Sequence, residues 1–171
     1  MKADKTFFYL MMVVALVLGS TGCSSESDEV SQNGMLKSFA KTGCKPQIET
    51  RTADVSGLYD AESFSYEATK DGSLLLCHNN AIFSCETDIK VKVSVSDGVI
   101  SVIEYYSPAT NCICAYDLTM EIGPLQVGPY TVVVYRDFDI NIGKTSPQAE
   151  YIRFPINYTE ELKGDIVVKM E

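Results

Sequence analysis

The chain contains no tryptophan and only one histidine, His78, among its 171 residues. Sugar-binding β-sandwiches usually present tryptophan rings, so this absence weakens a carbohydrate-binding interpretation without removing it. Basic residues are also scarce, because 14 lysines and arginines stand against 23 acidic residues and the formal net charge is −9. A surface of this sign repels nucleic acid and anionic lipid, so we expect no nucleic-acid partner.

The apolar run at the start of the chain is too short to cross a membrane. It spans Phe7–Leu18 and falls short of the roughly 20 residues that a transmembrane helix needs. The residues that end it, Leu18–Cys23 (LGSTGC), resemble the lipobox that the lipoprotein signal peptidase cuts in bacterial lipoproteins. The resemblance implies that residues 1–22 are a signal peptide and that Cys23 carries fatty acyl chains such as palmitate. A plain secretory signal, with Cys23 an ordinary cysteine, is the alternative.

The segment that follows Cys23 is polar and acidic. Ser24–Glu29 (SSESDE) resembles the export signal of Bacteroidota lipoproteins that are surface-exposed. This implies a lipid anchor in the bacterial outer membrane with the domain at the cell surface, the periplasmic face being the alternative. The tract also has the composition of a solvated tether. We therefore expect a tether over residues 23–38 and one folded domain over residues 39–171.

Apolar residues in the domain recur at every second position, as in β-strands. Ile89–Val95 alternates apolar and polar residues, and Asp97-Gly98 supplies the positive φ angles of a type I′ hairpin turn. The expected register pairs Ser96 with Val99, Val95 with Ile100, Val93 with Val102 and Ile89 with Tyr106.

This register also places Val91 opposite Glu104 and turns Ile103 outward beside Lys92. A carboxylate on the apolar face disfavours a regular, central strand. We therefore expect a bulge or a sheet edge near Ile103.

Further strands are predicted from the same periodicity, and no helical pattern longer than two turns occurs. They are Ser73–His78, Ala81–Cys85, Thr110–Ile122, Tyr130–Asp137, Tyr151–Asn157 and Asp165–Met170. Many short strands separated by turns predict an all-β, single-domain, antiparallel β-sandwich. Ile122–Val134 resembles the closing strand of secreted Ig-like sandwiches, which implies an Ig-like architecture.

Five cysteines remain after Cys23 is assigned to lipid, an odd number for a compartment in which disulfides form. Cys112 and Cys114 lie two apart, so they share a strand face with Tyr116, Leu118 and Met120 that should point to the core. We expect Cys77 and Cys85 to bond Cys112 and Cys114, leaving Cys44 unpaired. Each bridge would contribute about 3 to 4 kcal/mol.

The same cysteines with His78 are ligand types that zinc prefers, but the spacing of Cys112-Ile113-Cys114 is not that of a zinc knuckle. We therefore predict no metal site and no cofactor. Asp137, Asp139 and Asn141 resemble the opening of a calcium loop, yet the later positions depart from that pattern. His78, beside two asparagines, is interpreted as a polar turn residue and not as a catalytic base.

Other candidate sites carry no specific signal. Glu160-Glu161 lies in a polar loop, and Asn157-Tyr158-Thr159 matches the glycosylation sequon, a match that the bacterial-type targeting signal leads us to interpret as chance. The tyrosines could include an exposed binding platform, although packing explains them better; they are Tyr105, Tyr106, Tyr130, Tyr135, Tyr151 and Tyr158.

The sequence therefore predicts a non-enzymatic surface lipoprotein. Its partners would be the membrane, through the N-terminal lipid, and an unidentified protein or glycan ligand. The alternative is a secreted, Ig-like protease inhibitor whose loops are held by the disulfides.

Overall fold

The computed structural model describes residues 35–45, 61–107, 112–138 and 149–168, and every regular element within them is a β-strand. The nine strands are β1 Leu36–Lys41, β2 Ser63–Ala68, β3 Leu74–Ser84, β4 Ile89–Ser96, β5 Val99–Tyr106, β6 Ile113–Ile122, β7 Gly128–Phe138, β8 Ala149–Tyr158 and β9 Lys163–Val167. In this part of the chain we find no helix with the length and apolarity needed to cross a membrane.

The strands form two sheets that bury their facing sides against each other. One sheet has the order β1-β6-β3-β2-β9 and the other the order β4-β5-β7-β8. This confirms the predicted all-β sandwich. The expectation that all strands are antiparallel is wrong at one pair, because β5 and β7 run parallel. Between them the chain crosses to the other sheet as β6 and returns, which leaves β5 and β7 pointing the same way. The Ig-like architecture stays a prediction.

The β4–β5 hairpin has the register predicted from the sequence. Ser96 pairs with Val99 and Ile89 with Tyr106, and no register shift interrupts the pairs between them. Asp97 and Gly98 have φ angles of 51° and 74°, as a type I′ turn requires.

The bulge or edge expected near Ile103 does not occur. β5 lies between β4 and β7, and its pairing with β4 is regular through Ile103 and Glu104. The fully buried Glu104 is tolerated on the inner face because cationic partners compensate its charge.

Strand β3 is continuous where the sequence predicted two strands and a turn. Asn79 and Asn80 together oppose the single residue Asp117 of β6, so they form a β-bulge between His78 and Ala81. Asn80 has a φ of 55°, a conformation that asparagine adopts more readily than most residues. The side chain of Asp117 accepts the Asn80 backbone N–H at 3.0 Å. The bulge shifts the alternation by one residue, so both His78 and Ala81 face inward and are fully buried.

Strands β1 and β2 were not predicted from the sequence. β1 (LKSFAK) is mostly exposed and β2 (SFSYEA) carries few aliphatic residues, so neither shows a clear apolar alternation. β1 begins at Leu36, inside the segment predicted as tether, so the folded part starts before residue 39. Leu36 is buried and pairs with Ile122 of β6.

The core is built from aliphatic and aromatic side chains of both sheets. Its fully buried members include Phe64, Leu74, Leu76, Ile89, Val93, Ile100, Leu118, Met120 and Ile122. β8, at the edge of its sheet, carries Pro155, which lacks a backbone N–H and therefore suits a strand with an open side.

Gly164 in β9 gives the first testable prediction. A Cβ placed there would lie 2.6 to 2.8 Å from three atoms at the hydroxyl end of the Tyr66 side chain, whose ring stacks near Phe154. We expect Gly164→Ala to lower the free energy of unfolding by about 1 to 3 kcal/mol in urea denaturation, because the half-buried ring must move.

The matched control is Gly43→Ala, since no atom lies within 4 Å of a Cβ at Gly43. A Gly164→Ala variant as stable as this control would show that Tyr66 moves aside without cost.

Candidate functional site

His78 lies on the inner face of β3, between the sheets, with no exposed side-chain surface. Its Nδ1 is 2.7 Å from Oε1 of Glu104, and its Nε2 is 2.8 Å from Oε1 of Glu62. The imidazole stacks on the Phe64 ring with a centroid separation of 3.9 Å. The interpretation of His78 as a polar turn residue is therefore wrong, because the chain continues through it as a strand.

Arg136 closes a network around this histidine. Its Nε donates to Oε2 of Glu104 at 3.3 Å, and its Nη2 donates to Oε1 of Glu62. The guanidinium carbon lies 3.7 Å from the ring centroid of Tyr151 and 4.6 Å from that of Phe83. The Tyr151 hydroxyl donates to Oε2 of Glu62. We call Glu62, His78, Glu104, Arg136 and Tyr151 the buried charged network.

The members of the network come from both sheets. Glu62 directly precedes β2 and His78 lies in β3 of one sheet, while Glu104, Arg136 and Tyr151 lie in β5, β7 and β8 of the other. The β7–β8 register shifts so that Tyr151 is an extra residue between Ile152 and Glu150. One β-bulge therefore lies beside His78, and another includes Tyr151. Bulges commonly redirect a side chain in this way.

The geometry fixes the charge of each group. Burial raises the pKa of Glu62, but the His78 hydrogen bond and the Arg136 charge outweigh it and lower this pKa to about 2. The pKa of Glu104 is also lowered, because the charges of His78 and Arg136 more than offset the effect of burial. Burial lowers the pKa of His78, but the Glu104 carboxylate and the hydrogen bond with Glu62 raise it overall. Two carboxylates and two cations therefore balance.

This arrangement favours a structural role over proton transfer to a substrate. Both ring nitrogens of His78 are engaged by carboxylates, and the ring has no exposed surface. Arg136 and Tyr151 are the members nearest the surface, with 17% of the Arg136 side chain exposed. The network ties the two sheets together through five charged or polar groups.

Four cysteines gather at one end of the sandwich. The structure pairs Cys44 with Cys114 and Cys85 with Cys112 as disulfides, with Cα separations of 5.3 and 5.4 Å. We call these four residues the cysteine cluster. Cys77 lies outside it on the outer face of β3, and its Sγ is 3.8 Å from Oγ1 of Thr119.

Cys85 was expected to bond either Cys112 or Cys114, and it is paired with Cys112; Cys77, expected to be bonded, is free, and Cys44, expected to be unpaired, is bonded to Cys114. Strict alternation along residues 73–85 would put Cys77 and Cys85 on the same face. The bulge at Asn79 and Asn80 inverts the alternation, so Cys77 faces outward and Cys85 packs against the core. Cys44 takes the vacant partner, since backbone bonds hold residues 42–45 along β6 beside Cys114.

The core-facing orientation predicted for β6 is confirmed for Cys114, Tyr116, Leu118 and Met120. It is wrong for Cys112, which precedes the first residue of β6 and is exposed. The sulfurs of Cys44, Cys85 and Cys114 lie within 4.8 Å of one another, the spacing of a possible soft-metal site. Sulfurs that are paired in disulfides offer no thiolate to a metal.

The other candidates fall in different places. Cys23, Asp139 and Asn141 lie outside the described residues, so the lipidation of Cys23 and the absence of a calcium loop stay predictions. Glu160 and Glu161 are exposed in the β8–β9 turn, and Asn157 is exposed on β8. The named tyrosines are all buried or half-buried, which supports packing over an exposed platform.

Comparison with known protein families, with curated proteins and with solved structures found no match.

Sequence reasoning missed Glu62, Arg136 and Tyr151, although one signal was present. Glu104 and Arg136 both continue an inward-facing alternation, after Ile100 and Val102 in β5 and after Val132 and Val134 in β7. A charge of each sign on two core-facing strand positions indicates a buried ion pair. Glu62 lies outside any segment of alternating apolar residues, so its burial could not be predicted from the sequence.

The second prediction concerns Glu104→Gln. This substitution leaves the His78 and Arg136 cations with one carboxylate fewer in a buried site. We expect the free energy of unfolding to fall by about 3 to 5 kcal/mol in urea denaturation followed by circular dichroism.

The matched control is Glu67→Gln. Glu67 pairs with Lys163 at 3.4 Å on the exposed side of β2, where an ion pair contributes little. Equal effects of the two substitutions would contradict a stabilising role for the network.

The third prediction concerns pH. The raised pKa of His78 stabilises the fold fully below the ordinary histidine value of 6.5, and this contribution is lost as pH rises toward the folded value. The lowered pKa values of Glu62 and Glu104 stabilise the fold above 4.5, and this contribution is lost on acidification. The contribution of the network should therefore be greatest between about pH 4.5 and 6.5.

Unfolding free energies measured every half unit from pH 6 to pH 8 test the alkaline side. The expected slope approaches about −1.4 kcal/mol per pH unit for the single proton that His78 retains. His78→Gln should remove this slope, and a wild-type protein of constant stability over that range would contradict a protonated His78.

Proposed function

We propose that the chain is a lipid-anchored β-sandwich that acts as a non-enzymatic binding or accessory module on the bacterial outer membrane, at the cell surface. The observation that carries this proposal is the combination of the lipobox-like Leu18–Cys23 with a domain that is cross-linked by two disulfides. Disulfides persist in oxidising, extracytoplasmic compartments, the same destination that the N-terminal segment indicates. The periplasmic face of the outer membrane remains the alternative orientation.

A binding role is favoured because, Cys77 apart, the histidine and cysteine side chains in the described residues already have partners. His78 is held by two carboxylates, and the four sulfurs of the cysteine cluster are bonded. The His78 contacts connect the two sheets, and the disulfides cross-link segments at one end of the β1-β6-β3 sheet, as expected of a rigid scaffold that presents loops to a protein or glycan. A ligand retained on immobilised mature protein, and eluted chemically unchanged, would separate binding from turnover.

The alternative role is that of a secreted Ig-like protease inhibitor. One observation favours it, namely that Cys44 and Cys112 lie in loops and their disulfides tie those loops to residues at the inner face. An inhibitor would lower the activity of a secreted protease, and inhibition would be complete at a fixed molar ratio of inhibitor to protease. A binding or accessory module would leave that activity unchanged.

The fourth prediction tests the anchor. Cys23→Ser should release the protein from the membrane fraction and abolish incorporation of an alkyne-labelled palmitate, because Cys23 is the residue that the lipobox assigns to the acyl chains. The matched control is Cys77→Ser, which removes the unpaired thiol of the folded domain and should leave both readouts unchanged.

Protease shaving of intact cells then distinguishes the cell surface from the periplasmic face. Mass spectrometry that finds residue 23 unmodified in the mature protein would overturn the anchor and, with it, the proposed location.

A further inference from the structure

The cysteine cluster has an arrangement that structural disulfides do not require. Its outer members, Cys44 and Cys112, are exposed, whereas Cys114 is 2% exposed and Cys85 is half-buried. The two inner sulfurs belong to different disulfides, yet Sγ of Cys114 lies 3.0 Å from Sγ of Cys85. The four sulfurs thus follow one another in the order Cys44, Cys114, Cys85, Cys112, from one exposed loop to another.

We propose that the cysteine cluster is a thiol–disulfide relay, in which a thiol that attacks one exposed cysteine releases the exposed cysteine of the other disulfide. Its substrate is the thiolate form of a monothiol compound. The inference does not depend on the binding role proposed above, because it follows from the contact between Cys85 and Cys114.

The relay is a sequence of two exchange steps with no net oxidation. The incoming thiolate attacks Sγ of Cys44 and forms a mixed disulfide, while the Cys44–Cys114 bond breaks and leaves its electron pair on Cys114. The Cys114 thiolate then attacks Sγ of Cys85 and forms a Cys85–Cys114 bond. The Cys85–Cys112 bond breaks, and the exposed Cys112 leaves as a thiolate that takes a proton from water. Entry at Cys112 gives the reverse sequence and releases Cys44.

Burial of Cys114 favours the second step, in which its thiolate attacks Cys85. That attack can therefore compete with the reverse of the first step, in which Cys114 attacks Cys44 again. A thiolate on Cys114 has little access to solvent, and an anion in that position is disfavoured by desolvation. The neighbouring Cys85 sulfur is already in contact, so attack needs no encounter through solution. Cys77 cannot intercept the exchange, since it lies on the other face of the sheet.

The observed pairing should remain the resting state. Cys85 is bonded at 3.0 Å from its backbone N–H to the Cys112 carbonyl, which makes these two residues direct neighbours across the strands. Cys85 and Cys114 are diagonal neighbours, a separation of about 7 Å between Cα atoms and near the limit of a disulfide. Cys85 lies directly after the last residue of β3, and the next residue, Glu86, has a φ of 57°. The exchange therefore takes place at the end of the β3–β6 pairing.

The fifth prediction tests the relay in the mature wild-type protein. A limiting amount of glutathione is added at pH 8, the reaction is quenched in acid, and free thiols are alkylated with N-ethylmaleimide at low pH before peptide mapping. We expect molecules with glutathione on Cys44 to carry the alkyl group on Cys112. An alkyl group on Cys114 in those molecules would overturn the relay, because it shows simple opening of one disulfide.

A variant gives an independent measurement. Cys112→Ser leaves Cys85 as a thiol beside the Cys44–Cys114 bond, so we expect acid trapping from pH 8 to recover a minor fraction of molecules with a Cys85–Cys114 bond and an alkylated Cys44. The matched control is Cys77→Ser, which should keep both observed disulfides. A Cys112→Ser protein with only the Cys44–Cys114 bond would contradict the proposal, and so would wild-type protein isolated with its four cluster thiols reduced around a zinc ion.

Discussion

The contact on which the sandwich depends is that of one buried imidazolium with two carboxylates and a guanidinium. Glu104 and Arg136 are direct partners in the parallel β5–β7 pair, and His78 and Glu62 approach them from the opposing sheet. A slip of one residue in either strand would turn a charged group outward and leave its partner buried alone. Because an isolated buried charge is far more costly than a balanced set, the network specifies both the register of β5 with β7 and the way the two sheets face each other.

The bulge in β3 has a second effect that reaches beyond the network. One extra residue at Asn79–Asn80 keeps His78 inward and also decides which cysteines meet. Before the bulge, Cys77 faces away from the core; after it, Cys85 turns toward Cys114. If the same residues followed a regular strand with no bulge, Cys77 and Cys85 would lie on one face and the contact between the two disulfides would not form.

Local patterns predicted what depends on neighbours along the chain. The β4–β5 register followed from alternation and from Asp97-Gly98, because both strands and the turn lie in one short segment. The inward face of β6 from Cys114 to Met120 followed from the same alternation. The wrong predictions involve contacts between residues that are distant in the sequence. They are the parallel β5–β7 pair, the bulge at Asn79–Asn80 opposite Asp117, and Glu104, whose charge is compensated by Arg136. Cys44 could not be placed, because its partner depends on how residues 42–45 lie along β6.

The position of β1 determines how the domain responds to mechanical load. A pull on the chain ahead of Leu36 acts first on β1, an edge strand bonded to β6 alone. Peeling of that strand can proceed only as far as Cys44, where the bond to Cys114 stops it. Force applied from the N-terminal side is therefore transmitted to β6, the interior strand next to β1, and the remaining strands are not separated one after another.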